Sequence, residues 1–292
     1  MWLYTLHALL LSSPARSRTC RFLEMPAEDF TDRFRVSGIL AEGKEGKVYN
    51  TSDKLCPANS VVVKVTQTAN KRHPKNKNEI ASLLKMLPYD GVPKIVAYRI
   101  EYSAHRCASW IAMTKEDGPT LHEVMEADKS LRVFLPEKDV WKIFAQLLRI
   151  VSRLLRLGIH HRDIKEKNVI VNLATLKPSL IDFGLSTTIR KNGFSDSDGV
   201  SKQVVRDSFP PEFYSPKLFD AERAEVWALG VLLYKMLYLR SPFKTQEDKL
   251  SGTVDADVDN PHALPLIRKM LQPDWEKRPS ILTVIDSSRH AL

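Results

Sequence analysis

The most informative part of this sequence is the octapeptide His161-Arg162-Asp163-Ile164-Lys165-Glu166-Lys167-Asn168, which is followed by the tripeptide Asp182-Phe183-Gly184. Asn168 lies five positions after Asp163, and Asp182 lies nineteen positions after it. A carboxylate can accept the proton of a reacting hydroxyl, and a second carboxylate with an amide oxygen can hold magnesium beside a triphosphate. Because Asp163, Asp182 and Asn168 can fill these roles, the two segments predict a phosphoryl-transfer site.

The two segments resemble the catalytic loop and the metal-binding segment of eukaryotic protein kinases. The resemblance covers about residues 34–288 and implies an α+β, bilobal fold. The small N-terminal lobe would hold an antiparallel sheet and one helix, and the larger C-terminal lobe would be mainly helical. We expect these lobes at about residues 34–113 and 119–288, joined by a hinge at 114–118 and preceded by an N-terminal extension at 1–33.

The hydrophobic pattern agrees with two lobes of different composition. The β-branched run Val61-Val62-Val63-Lys64-Val65 predicts a buried strand, and a helix is predicted after Pro74. After Gly118 the chain becomes mainly helical, with its longest apolar stripe from Val140 to Leu155. Other strands are predicted at 95–102 and 109–113, and other helices at 226–238, 264–271 and 281–285.

Composition limits the class of protein but does not identify its partner. The net charge of +9 favours anionic partners. Cys20, Cys56 and Cys107 lack the spacing of a zinc or redox motif, so we expect free thiols in a reducing compartment. No apolar run reaches the roughly 18 residues of a membrane-spanning helix. A basic cluster at 71–77 has no accompanying nucleic-acid motif, so no nucleic-acid partner is expected.

The first 23 residues leave the location of the protein open. An apolar run from Met1 to Leu11 precedes Arg16, Arg18 and Arg21, which is the wrong order for a secretory signal. A mitochondrial presequence fits the arginine and serine content better, and a true start near Met25 is the alternative. We expect a cytoplasmic protein, or a mitochondrial one if this segment acts as a presequence.

The resemblance implies an ATP site between the lobes. In the hairpin from Leu40 to Val48, Gly43 and Gly46 would let backbone amides approach the phosphates, although Ala41 stands where the family has its first glycine. Lys64 would contact the α- and β-phosphates and pair with Glu79. Met113 would be the gatekeeper, and backbone groups of Thr114 and Glu116 would bind the adenine edge. The residues expected to cover the adenine faces are Leu40, Val48, Val62 and Ile170.

The resemblance also implies the catalytic roles. Asp163 would orient the substrate hydroxyl, and Lys165 would neutralise charge on the transferred phosphoryl group. A lysine two positions after the aspartate resembles serine/threonine kinases, so protein serine or threonine is the expected acceptor. Asn168 and Asp182 would hold magnesium.

The chain departs from the family at the supports of the catalytic loop. Glu225 stands where the family has an anchoring aspartate, and Val205 stands where serine/threonine kinases have a threonine, a role that Ser208 could take over. Glu212 and Arg278 resemble an architectural ion pair of the large lobe.

Arg162 indicates control by charge in the activation loop. The residues that could supply this charge are the candidate phosphosites Ser195, Ser197 and Ser201 and the acidic Asp196 and Asp198. An unregulated, solvated loop is the alternative.

Two alternatives to an active protein kinase remain. Ala41, Val205 and Glu225 motivate a pseudokinase that uses the fold as a scaffold. A small-molecule kinase of related fold shares the two aspartates and the asparagine, but Lys165 and Arg278 argue against it. The sequence makes no prediction of the oligomeric state.

Overall fold

The structure, a computed structural model, describes residues 24–43, 46–68, 75–102, 107–131, 135–190, 194–195, 207–214, 219–255 and 260–289. The N-terminal lobe contains a five-stranded sheet and two helices. One helix precedes the first strand, and the other lies between the third and fourth strands in sequence. These elements are α1 (Ala27–Arg33), β1 (Phe34–Gly43), β2 (Gly46–Asp53), β3 (Ser60–Thr68), α2 (Lys75–Met86), β4 (Ile95–Tyr102) and β5 (Cys107–Thr114). The sheet is antiparallel throughout, in the order β1-β2-β3-β5-β4.

Strand β3 decides which face of the sheet carries the site. Side chains alternate along a strand, so the run of valines points in both directions. Val61 and Val63 pack beneath Phe30 and Phe34 in a small outer core. Val62 belongs to the main core on the other face, which places Lys64, two residues later, on that inner face as well.

Residues 24–33 precede the predicted boundary of the domain at residue 34, yet they pack against this lobe. Phe30 of α1 is buried on the outer face of the sheet. The Arg33 guanidinium donates two hydrogen bonds to the Asp53 carboxylate, at 2.9 and 2.8 Å. The outer face of the sheet is therefore covered by the segment that immediately precedes β1.

The C-terminal lobe is mainly helical. Its helices are α3 (Leu121–Leu131), α4 (Glu137–Arg156), α5 (Ala221–Tyr238), α6 (Gln246–Ser251), α7 (Ala263–Met270) and α8 (Ile281–Ser288). Its short strands are β6 (Ile159–His160), β7 (Val169–Asn172), β8 (Lys177–Leu180), β9 (Thr187–Thr188), β10 (Phe194–Ser195) and β11 (Phe219–Asp220), and single 3₁₀ turns lie at Glu166–Asn168, Pro211–Tyr214 and Trp275–Lys277.

Helix α5 lies at the centre of this lobe and is buried on nearly all sides. Its start is capped by Asp220, which accepts a hydrogen bond from the Arg223 amide at 2.9 Å. At Gly230, an added Cβ would lie 2.9 Å from Met270 Cβ, so the glycine permits the close approach of α7. This packing places the first turns of α5 next to the segment that follows β6, which begins at His161.

The bilobal α+β fold predicted from the sequence is confirmed. The strand predicted at 95–102 is β4, and the long apolar stripe lies on α4, whose inward face supplies Val140, Phe144 and Val151 to the core. Over the residues that the structure describes, no helix is both long and apolar enough to cross a bilayer.

Candidate active site

Lys64 lies at the centre of the cleft between the lobes and contacts an acid on each side. Its Nζ donates to Glu79 Oε1 at 2.6 Å and to Asp182 Oδ1 at 2.7 Å. Glu79 lies on α2 in the small lobe, and Asp182 lies in the large lobe after β8. The structure therefore brings three predicted residues together through one ammonium group.

Charge pairing outweighs burial in this group. Burial opposes the charge on Lys64, but Glu79 and Asp182 together raise the pKa of the ammonium group above its usual value. Burial also opposes ionisation of Asp182, but the adjacent Lys64 lowers the pKa of this carboxyl group to about 2. Lys64 and Asp182 are thus charged near neutral pH, which is the state that binding of phosphate and metal requires.

The catalytic loop holds Asp163 by hydrogen bonds from its own residues. Lys165 Nζ lies 2.5 Å from Asp163 Oδ2 and donates to it. Asn168 Nδ2 donates to the same Oδ2 and to the Asp163 carbonyl oxygen, both at 2.9 Å. The Asp163 carboxylate is thus oriented by an ammonium and an amide within five residues of it.

Asn168 and Asp182 have the chemistry of a magnesium site. Magnesium prefers hard oxygen ligands and is commonly held by one or two carboxylates together with substrate phosphates. The Asn168 amide nitrogen donates to Asp163, so its Oδ1 is the atom that can ligate a cation. About a third of the Asp182 side chain is exposed, which leaves the carboxylate accessible from the cleft. These two donors fit magnesium.

His161 links the catalytic loop to the segment that carries Asp182. Its Nδ1 accepts from the Asp163 amide at 3.3 Å, and its Nε2 donates to the Ile181 carbonyl oxygen at 3.2 Å. The ring also packs edge-on against Phe183, with centroids 4.7 Å apart. Complete burial lowers the pKa of His161 to about 4, so the ring is neutral at physiological pH.

Glu225 anchors the loop in spite of its extra methylene group. Its Oε1 accepts the His161 amide at 2.6 Å and the Arg162 amide at 3.1 Å. Arg162 has a left-handed backbone, with φ of 68°, and its Nε donates to the Leu185 carbonyl oxygen at 2.6 Å. The catalytic loop is therefore anchored in this chain by a glutamate, at the position where the family has an aspartate.

The side chains predicted to surround the adenine lie on five strands, β1, β2, β3, β5 and β7. Val62 and Met113 are paired in register on the inner face of the sheet, and both are buried. Val48 packs against the same core, whereas Leu40 lies at a register shift in β1 and is 46% exposed. Ile170, on β7, forms an isolated antiparallel bridge with Thr120, the residue that precedes α3.

The predicted hinge contains a polar network that sequence reasoning did not identify. The Thr114 hydroxyl accepts from the Lys94 amide at 2.9 Å and donates to Glu116 Oε1 at 3.0 Å. Ser179, on β8, donates to Glu116 Oε2 at 2.5 Å. Gly118 follows with φ of 115°, and a Cβ there would lie 2.1 Å from the Val171 carbonyl oxygen. The hinge is thus bonded to both lobes.

The glycine-rich hairpin joins β1 to β2. Gly43 pairs with Gly46, and Ala41, directly after the register shift at Leu40, pairs with Val48, so Ala41 keeps a partner in the strand. Gly46 has φ of 147°, and a Cβ there would lie 2.2 Å from the Val65 carbonyl oxygen. Lys44 and Glu45, at the tip, lie outside the described residues.

Glu212 and Arg278 form a buried, bidentate ion pair, with Arg278 Nη1 2.5 Å from Oε1 and Nη2 2.7 Å from Oε2. The guanidinium also donates to the Gln272 and Pro273 carbonyl oxygens and lies over the Trp227 ring. This pair joins the 3₁₀ turn at Pro211–Tyr214 to the helical core.

Part of the predicted regulation lies outside the described residues. The residues outside the described part are Val205 and the loop residues Asp196, Ser197, Asp198 and Ser201. For Ser195 the structure gives the backbone position in β10 but nothing about the side chain. Ser208 is described and buried. The structure adds a contact that no sequence pattern indicated, since the hydroxyl groups of Ser82 on α2 and Ser186 lie 3.0 Å apart.

Comparison with known proteins gives a consistent result. The family model described as protein kinase domain matches residues 34–288. Serine/threonine-protein kinase PSK2 of Saccharomyces cerevisiae is 30% identical over 70% of this chain and 17% of its own length. Serine/threonine-protein kinase nekl-2 of Caenorhabditis elegans is 25% identical over 76% of this chain and 64% of its own. CBL-interacting protein kinase 21 of Oryza sativa is 29% identical over 83% of this chain and 46% of its own length. The chain thus spans less than two thirds of these relatives.

Proposed function

This chain belongs to the protein kinase family, and we propose that it is a serine/threonine kinase that transfers the γ-phosphoryl group of ATP to hydroxyl groups of proteins. The observation that carries the proposal is the contact of Lys64 Nζ with both Glu79 and Asp182. A lysine so placed joins the small lobe to the predicted magnesium ligand. The same arrangement requires α2 to lie against the sheet, which is the position expected of an active kinase.

Each residue of the cleft has a separate role in the proposed reaction. Lys64 would bind the α- and β-phosphates of ATP in place of one of its present acidic partners. Asp163 would orient the incoming hydroxyl and accept its proton, and Lys165 would neutralise charge on the transferred group. Asn168 Oδ1 and Asp182 would hold magnesium, which supplies positive charge that stabilises the phosphates when it is bound.

Serine or threonine is the proposed acceptor because Lys165 lies 2.5 Å from the Asp163 carboxylate, close to where a hydroxyl would react. The serine/threonine kinases among the matched relatives support the same class. A pseudokinase is less well supported, because Glu225 accepts both loop amides and the charged groups of the cleft are in place.

The test is transfer of labelled phosphate from ATP and magnesium to a generic basic protein, followed by mass spectrometry of the product. Wild-type protein is expected to label serine or threonine, and Asp163→Asn to lower the rate at least a hundredfold with an unchanged melting temperature. Asp29→Asn, an exposed carboxylate on α1, is the matched control and is expected to behave as wild type. Equal rates in wild type and Asp163→Asn would contradict the role of Asp163.

The cellular location stays a prediction. We propose the cytoplasm, with the mitochondrion as the alternative, on the composition of residues 1–23, which lie outside the described part of the chain. A fluorescent fusion to the C-terminus of the full chain, compared with a fusion that lacks residues 1–23, separates the two.

A further inference from the structure

Two buried serines join α2 to the segment that follows Asp182. The hydroxyl groups of Ser82 and Ser186 lie 3.0 Å apart, although 104 residues separate them in sequence. Ser82 is 5% exposed and Ser186 is 2% exposed, and among the described residues neither hydroxyl group has another hydrogen-bond partner. Because a buried hydroxyl group without a partner costs free energy, each serine depends on the other for its hydrogen bond.

Ser186 has a fixed position in the large lobe. Its amide donates to the Phe183 carbonyl oxygen at 2.9 Å, and Arg162 Nε donates to the carbonyl oxygen of the preceding Leu185 at 2.6 Å. Strand β9, which begins one residue after Ser186, pairs with β6, and β6 leads directly into the catalytic loop. The Ser186 hydroxyl group is therefore positioned by the same loop that carries Asp163.

Ser82 lies on the side of α2 that carries Glu79. Residues three positions apart are neighbours on a helix surface, and both of these side chains are buried. Glu79 bonds to Lys64, and Lys64 also bonds to Asp182, so the lysine joins α2 to the proposed metal-binding segment. Ser82 and Ser186 join the same two segments without a charged group. The structure thus has two separate links between α2 and this segment.

Binding of nucleotide would affect the two links differently. In the proposed function, Lys64 binds the α- and β-phosphates in place of one of its carboxylate partners. The link through Lys64 then weakens at the step in which Glu79 and Asp182 must keep their positions. The link between the two serines contains only neutral hydroxyl groups, so the phosphates do not compete for a cation in it.

We propose that Ser82 and Ser186 are positioning residues, whose hydrogen bond holds α2 against the segment of Asp182 while Lys64 binds the nucleotide phosphates. The two hydroxyl groups act through Glu79 and Asp182, so neither serine is a catalytic residue. The role in catalysis rests on the proposed kinase function. The attachment of α2 to the large lobe does not, because it is a property of the folded chain.

The test compares Ser82→Ala, Ser186→Ala and the double variant. Each single variant leaves one buried hydroxyl group without its partner, so a lower urea midpoint is expected. The double variant removes both hydroxyl groups, and replacement of both partners by apolar groups can be nearly neutral, so its midpoint is expected to return towards that of wild type. In the double variant, stability is therefore restored while the link between the segments is still absent.

Kinetics separates a positioning role from a merely structural one. The value of kcat/KM for ATP is expected to fall about fivefold in each single variant and to stay about fivefold low in the double variant, which is the effect of one neutral hydrogen bond. Recovery of kcat/KM together with stability in the double variant would overturn the proposal.

Ser288→Ala is the matched control. Ser288 is also 2% exposed, and its hydroxyl group donates to the Ile285 carbonyl oxygen at 2.8 Å, at the end of α8. This variant is expected to lower the urea midpoint and to leave kcat/KM for ATP unchanged. An equal loss of kcat/KM in Ser288→Ala would show that the kinetic effect follows from lost stability, and the positioning role would be rejected.

Hydrogen exchange tests the attachment of α2 without any activity. In the double variant, the amides of α2 are expected to exchange about fivefold faster than in wild type, whereas those of α5 keep their rates. Unchanged exchange in α2 would overturn the proposal whatever the kinetics show. If α2 exchanges faster but the wild-type protein transfers no phosphate, the serine pair attaches α2 as proposed and it is the kinase function that fails.

Discussion

Lys64 and Asp182 meet across the two lobes, with Nζ 2.7 Å from Oδ1, although 118 residues separate them in sequence. The same nitrogen lies 2.6 Å from Glu79. One ammonium group thus links the sheet, the helix of the small lobe and the proposed metal-binding segment. The relationship couples the position of α2 to the geometry of the cleft.

Replacement of Lys64 by Met is expected to abolish phosphate transfer and also to destabilise the fold. The substitution removes the ammonium group that pairs with Glu79, a residue that is 3% exposed. Breaking a buried pair in this way typically costs about 3–5 kcal/mol. Phosphate transfer and urea unfolding measure the two effects. The exposed pair of Lys47 and Glu42 provides the control, since Lys47→Met should leave the unfolding midpoint unchanged.

Arg278→Lys is expected to destabilise the large lobe although the positive charge is retained. Lysine cannot replace a planar fork that donates to Glu212 and to three carbonyl oxygens at once. We expect a loss of about 3 kcal/mol, measured by urea unfolding. Lys277→Arg changes a neighbouring, exposed cation and should have no effect. Equal stability of Arg278→Lys and wild type would contradict the structural role of the fork.

Gly118→Ala is expected to raise the KM for ATP and to lower stability. The residue has φ of 115°, and a methyl group would lie 2.1 Å from the Val171 carbonyl oxygen, so the hinge must move away from β7. Gly38→Ala is the matched control, because a Cβ there meets nothing within 4 Å. Nucleotide-dependent rates and thermal melting measure both variants. The interpretation fails if the two alanine variants behave alike.

His161→Phe is expected to remove part of the acid sensitivity of the fold. The pKa of His161 is lowered to about 4 in the folded chain, so its neutral form contributes stability that is present above pH 6.5 and lost as pH falls towards 4. Phenylalanine loses the hydrogen bonds at every pH but cannot take up a proton. Between pH 6.5 and 4.5 the variant should therefore lose less stability than wild type.

Urea unfolding across that pH range gives the comparison. His262→Gln, at an exposed site, is the control and should retain the wild-type pH dependence. An identical pH dependence in His161→Phe would show that the ring does not stay neutral in the fold.

The fold class could be predicted from the chain because its signals are local. The continuous β-branched run of β3 is typical of a buried strand, the long apolar stripe of α4 has the period of a helix, and the catalytic-loop segment resembles a known family. The spacing from Lys64 to Glu79 was also compatible with a contact, because a strand, a connection and the first turns of a helix can return the chain over that length.

Other features depended on the folded chain, because they are contacts between side chains that are distant in sequence. No local pattern indicates that Ser179 bonds to Glu116, or that Ser82 meets Ser186. The substitution of an aspartate by Glu225 was visible in the sequence, but its consequence was not. The burial of α5 places the longer side chain so that it reaches both loop amides, since packing determines where an extra methylene group can go.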